Sequence, residues 1–147
     1  ARRMAAAKTA LVAARHPGAL VLGADTVVAV GRRILPKAQS EEEARACLRL
    51  LSGRRHRVYG AVALAGPDGR LRHRHSASIV TFAPIPPTAL DAYIAGGEWR
   101  GKAGGYAIQG SAEGFVRFLS GSHSGVVGLP LFETRALLLA AGCRILG

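Results

Sequence analysis

Two Val/Leu-rich runs close around a single acid in this chain. Ala19-Leu20-Val21-Leu22 and Val27-Val28-Ala29-Val30 flank Gly23-Ala24-Asp25-Thr26. Runs of this kind suit strands buried on both faces, which restricts the chain to folds with a covered sheet. A carboxylate in such a place is costly unless it is paired, metal-bound or catalytic. With nine acidic residues against twenty Lys and Arg, the chain spends one of its few acids here. Asp25 is predicted at the end of a buried strand, where ligands collect in open α/β sheets. There it can hold a divalent metal or take a proton from water. A turn aspartate bonding its own backbone is the structural alternative.

At 147 residues the chain is expected to be one domain with a real core. The net charge of +11 favours an anionic partner, either nucleic acid or a phosphorylated small molecule, although a solvated basic face gives the same number. Cys47 and Cys143 lack metal-ligand spacing and sit in apolar contexts, so both are expected as reduced core thiols. No apolar run reaches the ~18 residues of a membrane span. Residues 1–16 are Arg/Ala-rich without acids, faintly like a transit peptide. The spacing of Lys8, Leu11, Val12 and Arg15 predicts an amphipathic helix instead.

Local signals place the other elements. A helix is predicted over 2–15, stopped by His16-Pro17-Gly18, then a strand over 19–24 and a hairpin of 26–30 with 33–35 across Gly31-Arg32. Ser40 and Glu43 form a capping box that opens a helix over 41–51, with Ala44, Cys47, Leu48 and Leu51 inward. Strands over 56–65 and 71–82 are joined by Gly66-Pro67-Asp68-Gly69. Thr88 is predicted to cap a helix ending at Gly96-Gly97, with an irregular Gly-rich stretch over 98–114 and a strand over 115–119. A loop over 121–128, a helix over 131–141 and a short closing strand over 143–146 complete the chain. The mixture predicts an α/β fold with a mixed sheet and flanking helices.

Further residues offer chemistry. Lys37, in Ile34-Leu35-Pro36-Lys37, would bind phosphate and keep Asp25 ionised if folded back beside it; in isolation a solvated loop lysine is the plainer reading. Gly96-Gly97-Glu98-Trp99-Arg100-Gly101-Lys102-Ala103 approaches a P-loop but ends on Ala103, which has no hydroxyl for Mg²⁺, and follows a helix rather than a strand. The motif is rejected, while Lys102 still stands on a flexible Gly-rich loop that can present it to an anion. Gln109 carries an amide with one donor and one acceptor edge, the complement of the N3–H and carbonyl edge of uracil or thymine; a polar loop residue is the plain alternative. His73 and His75 share a strand face, but Arg72 and Arg74 beside them would repel a cation, so they are expected at the surface. His16, His56 and His123 show no partner in the sequence.

Five segments together resemble the Maf family (septum formation inhibitor-like) of nucleoside triphosphate pyrophosphatases. They are Leu22-Gly23-Ala24-Asp25-Thr26-Val27-Val28, Ile34-Leu35-Pro36-Lys37, Leu51-Ser52-Gly53-Arg54-Arg55-His56-Arg57-Val58, Lys102-Ala103-Gly104-Gly105-Tyr106-Ala107-Ile108-Gln109-Gly110, and Val126-Val127-Gly128-Leu129-Pro130-Leu131. The resemblance implies a mixed α/β fold related to inosine triphosphate pyrophosphatases, two lobes around a cleft, and hydrolysis between the α and β phosphates with Mg²⁺ or Mn²⁺. It implies Asp25 as proton acceptor and potential metal ligand, Lys8, Lys37 and Lys102 on the phosphates, and Thr26 and Gln109 in base choice. The Ile-Gln-Gly form is similar to the branch acting on dTTP and UTP. It further implies a single domain over 1–147 without about 40 upstream residues, which would hold a strand and a Ser-x-Ser-Pro-Arg-Arg phosphate loop. Gly101 stands where an Asp often precedes the lysine, and Ala38 where a Pro often follows Lys37. The accompanying expectations are a nucleoside triphosphate as partner, a homodimer, no membrane association, no stable nucleic-acid partner and a cytoplasmic location. The contrasting expectation is a catalytically impaired nucleotide- or nucleic-acid-binding relative, tied to control of septation.

Overall fold

The computed structural model describes residues 1–145. The elements run α1 (Arg2–Arg15), β1 (Val21–Val30), β2 (Arg33–Leu35), α2 (Glu41–Leu51), β3 (Arg55–Ala65), β4 (Leu71–Phe82), α3 (Pro87–Gly96), a 3₁₀ turn (Ser111–Phe115), β5 (Val116–Ser120), α4 (His123–Val127) and α5 (Leu131–Ala140). The strands form one five-stranded sheet in the order β2-β1-β3-β4-β5. β2 pairs antiparallel with β1, Ala29 opposite Ile34, and β5 pairs antiparallel with β4, Thr81 opposite Phe118, with a register shift at Thr81/Phe82. The architecture is α/β, with helices flanking the sheet.

Several expectations need correction. The stretch around Asp25 is one ten-residue strand, so Asp25 lies within β1 rather than at a strand's end. Nor is that strand buried on both faces: Val28 and Val30 are buried while Leu22 is 38% exposed. Thr88 does not cap α3; Pro86 holds the cap position and no side chain bonds there, because Pro87 opens the helix with no N–H to satisfy. The 121–128 loop contains the short helix α4, capped by Ser122 through the Gly125 N–H. Residues 143–145 form no strand, and Leu146 lies outside the described residues.

The chain divides into two compact units. The first comprises Ala1–Thr26, Tyr59–Ala77 and the chain from Ser122 onward. Here Ala5 of α1 packs on Ala61 and Ala63 of β3, while Leu137 of α5 packs on Val62 and Leu64. Alternate residues of a strand face opposite ways, so β3 is covered on both sides, which is why Ala61-Val62-Ala63-Leu64-Ala65 reads as an unbroken apolar run. The contact face of α1 is not the one its sequence suggested. Ala5 and Thr9 are buried, whereas Leu11 is 60% exposed. Small residues win because α1 comes very close to β1: a Cβ on Gly23 would lie 2.1 Å from Thr9 Oγ1.

The second unit comprises Val27–Val58 and Ser78–Gly121. The Ser40 side chain accepts the Glu43 N–H at 3.2 Å and starts α2, whose Ala44, Cys47, Leu48 and Leu51 are buried as their spacing predicts. α3 buries Leu90, Tyr93 and Ile94. Arg45 of α2 and Asp91 of α3 form an ion pair at 2.5 Å. Among the described residues, no helix is long and apolar enough to cross a membrane.

Candidate active site

In the first unit the structure brings together Asp25 and Lys8. Lys8 Nζ donates to Asp25 Oδ1 at 3.1 Å. The aspartate side chain is 8% exposed and the lysine 45% exposed, so a nearly buried carboxylate is matched by a cation that solvent still reaches. The local cause is the close approach described above: Thr9, next to Lys8, donates its hydroxyl to Ala5 O at 2.7 Å and sits against Gly23, two residues before Asp25. Thr26 follows in the same strand and is half-buried. By the pleat its side chain faces away from that of Asp25.

In the second unit the structure brings together the segments of Lys37 and Lys102. Lys37 and Ala103 form an antiparallel bridge. Gly101 N donates to Ala38 O at 2.8 Å, Ala38 N to Lys102 O at 3.0 Å, and Gly104 N to Pro36 O at 3.0 Å. Both lysines are exposed, and neither joins an ion pair among the described residues. The bridge brings the two backbone segments together, and two exposed lysines without an ion-pair partner among the described residues are available to an anionic ligand.

The Gly-rich stretch beyond Lys102 is pinned, which corrects the expectation of a flexible loop. Gly104 and Gly105 have φ of 71° and 80°, a region side chains disfavour. A Cβ on Gly104 would lie 3.0 Å from Val28 Cγ1, and one on Gly105 would lie 3.0 Å from Leu48 Cδ2. The glycines are there for close approach to β1 and α2. Tyr93 Oη donates to Gly105 O at 2.8 Å, Trp99 Nε1 donates to Ile94 O at 2.8 Å, and Tyr106 and Ile108 are buried. At the far end Glu98 accepts both the N–H and the hydroxyl of Ser111. Those hydrogen bonds hold its carboxyl below the usual range. Gln109 is exposed on this braced loop, between buried Ile108 and half-buried Gly110.

His56 was missed by its sequence because its partner is far along the chain. It is 2% exposed, and its Nε2 lies 2.6 Å from Tyr106 Oη. Burial pushes its pKa down to about 4. Burial also raises the Tyr106 hydroxyl, the Tyr93 hydroxyl and the Cys47 thiol above their ordinary ranges. Cys47 and Cys143 are free thiols, Cys47 buried and Cys143 half-buried. His73 and His75 are exposed as expected.

No group of three or more His, Cys, Asp or Glu side chains suited to a metal occurs among the described residues. A lone carboxylate such as Asp25 still fits Mg²⁺ or Mn²⁺ of the substrate-borne kind, which take one or two protein carboxylates and complete their shell with phosphate oxygens and water.

A five-stranded sheet flanked by helices defines an α/β protein, with an Asp25–Lys8 pair in one unit and two exposed lysines on bridged segments in the other. The Maf-like protein family model matches residues 1–141, and the chain belongs to that family. It is 65% identical over 143 residues to a dTTP/UTP pyrophosphatase of Novosphingobium aromaticivorans, covering 97% of this chain and 71% of that protein. A dTTP/UTP pyrophosphatase of Rhodospirillum rubrum is 61% identical over 98% of this chain and 69% of its own length. One of Caulobacter vibrioides is 55% identical over 98% of this chain and 75% of its own.

Proposed function

We propose that this protein hydrolyses dTTP and UTP, and modified pyrimidine triphosphates of the same base edge, to the nucleoside monophosphate and pyrophosphate. The 65% identity to a dTTP/UTP pyrophosphatase over 97% of the chain carries this assignment. The site chemistry supports it. A triphosphate needs its charge neutralised and a water aimed at phosphorus. Lys37 and Lys102 neutralise phosphate oxygens. Asp25 takes the proton of the attacking water as the α–β bridging P–O bond breaks, and pyrophosphate leaves. Lys8, bonded to Asp25, orients the carboxylate until substrate arrives, then shares in binding phosphate. A divalent cation held by Asp25 and the substrate would supply further charge neutralisation at the phosphates. Gln109 reads the N3–H and carbonyl edge of the pyrimidine, and Thr26 contributes to base choice. A cytoplasmic location and a homodimer belong to the same proposal.

Pyrophosphate release with Mg²⁺ or Mn²⁺, measured across the common NTPs and dNTPs, tests it. The expected result is turnover of dTTP and UTP well above dCTP and ATP. Silence on every nucleotide, with steeply salt-dependent binding of RNA or DNA, would assign the basic surface to nucleic acid instead.

A further inference from the structure

The loop that carries Lys102 and Gln109 is tied down at one peptide by two aromatic hydroxyls. Tyr93 Oη of α3 holds the Gly105 carbonyl at 2.8 Å, and the next residue, Tyr106, meets His56 Nε2 of β3 at 2.6 Å. Around them the rings pack edge to face: His56 on Phe82 at 5.1 Å and on Tyr106 at 5.5 Å, Phe82 on Tyr106 at 5.0 Å. Two phenylalanines would fill almost the same space. The polar pair is therefore not there for volume. A buried hydrogen-bonded pair adds little net stability over an apolar equivalent, but it has a direction that an apolar contact lacks. The second ring nitrogen, Nδ1, has no hydrogen-bond partner among the described residues. Protonation would place a full charge on a buried ring whose Nδ1 finds no acceptor, which disfavours the charged form relative to either neutral tautomer.

We propose that His56 is a positioning residue: through the Tyr106 hydroxyl it fixes the loop over 102–109, and with it the Gln109 amide and the Lys102 ammonium, without touching substrate. The effect on substrate rests on the pyrimidine triphosphate assignment above. The effect on the loop does not.

The test compares wild type with His56→Phe, Tyr106→Phe, the double variant and His56→Gln, whose amide returns a hydrogen-bonding group near the Nε2 position. KM and kcat are measured for dTTP and dCTP, and amide hydrogen exchange is followed over 101–110. His56→Phe is expected to raise KM for dTTP about tenfold and to erode the preference over dCTP, while loop amides exchange faster. Tyr106→Phe is expected to do the same, the double variant no worse than either single change, and His56→Gln to recover most of the loss. Wild-type KM, selectivity and loop protection in His56→Phe would overturn the proposal. So would a loss that strikes kcat for both nucleotides equally and adds to that of Tyr106→Phe, since that is mere core packing. If His56→Phe does not fold, Tyr106→Phe and His56→Gln carry the same comparison. If wild type hydrolyses neither dTTP nor UTP, the activity assignment falls, and loop exchange alone decides the positioning role.

Discussion

A carboxylate 8% exposed beside an ammonium 45% exposed is a pair that water screens only on one side. Asp25 thus has a partner that orients it and that, being solvent-exposed, can move aside for substrate. Asp25→Asn keeps the shape and the capacity to accept a hydrogen bond from Lys8. It is expected to cut kcat at least about 100-fold while unfolding free energy stays within about 1 kcal/mol of wild type. Steady-state kinetics beside urea denaturation checks both halves, and full activity in the variant would remove Asp25 from its role. His56 gives a second prediction at this scale. Its pKa is about 4 in the folded protein against an ordinary 6.5, lowered by burial among Phe82 and Tyr106, on a strand where Arg55 and Arg57 flank it. Between those values the unfolded chain binds a proton that the folded one does not, so stability rises with pH. The contribution is complete above about pH 6.5 and is lost as pH falls toward 4, by about 3 kcal/mol in all. Denaturation at pH 7 and pH 4.5 is expected to show a smaller acid loss in His56→Phe than in wild type.

At the scale of elements, the decisive contact is α1 on β1. Gly23 does not occupy a left-handed conformation, so a substitution there is purely a matter of space, and a Cβ would land 2.1 Å from Thr9 Oγ1. Gly23→Ala is expected to destabilise by about 1–3 kcal/mol and to raise KM, because Lys8 rides on the displaced helix. Adding Thr9→Ala removes the colliding hydroxyl and is expected to restore part of the stability, a non-additivity that thermal unfolding of the two single variants and the double one detects. α2 offers a plainer case: Ser40→Ala removes the cap at Glu43 and is expected to cost about 1 kcal/mol in denaturant midpoint experiments. Both regions were legible in part. The helices over 2–15 and 41–51, the turn at Gly66-Pro67-Asp68-Gly69 and the β1–β2 hairpin depend on signals within a few residues. The face of α1 did not, because burial of Ala5 in place of Leu11 depends on how closely a distant strand approaches. Thr88 misled for the complementary reason: the proline before it opened the helix first.

At the scale of the molecule, twenty basic residues against nine acidic ones set a field that any triphosphate meets before it meets a particular side chain. Raising ionic strength from about 20 to 300 mM is expected to lower kcat/KM for dTTP several-fold with little change in kcat, since screening acts on encounter. Stopped-flow binding or initial rates across a KCl series measure it; a flat response would mean that the charge is only a solvated surface.

The sequence by itself determined the α/β class and most element positions, since each rests on a local pattern, and it proposed the acid, the lysines and the amide from short motifs and a family resemblance. Tertiary structure alone decided that Lys8 reaches Asp25 across 17 residues and that His56 finds Tyr106 across 50. It also decided that Gly104 and Gly105 serve close packing rather than flexibility. The physical reason is the same in each case. Propensities and caps are settled within one or two turns of chain, whereas a buried polar group is satisfied by whatever the fold carries to it.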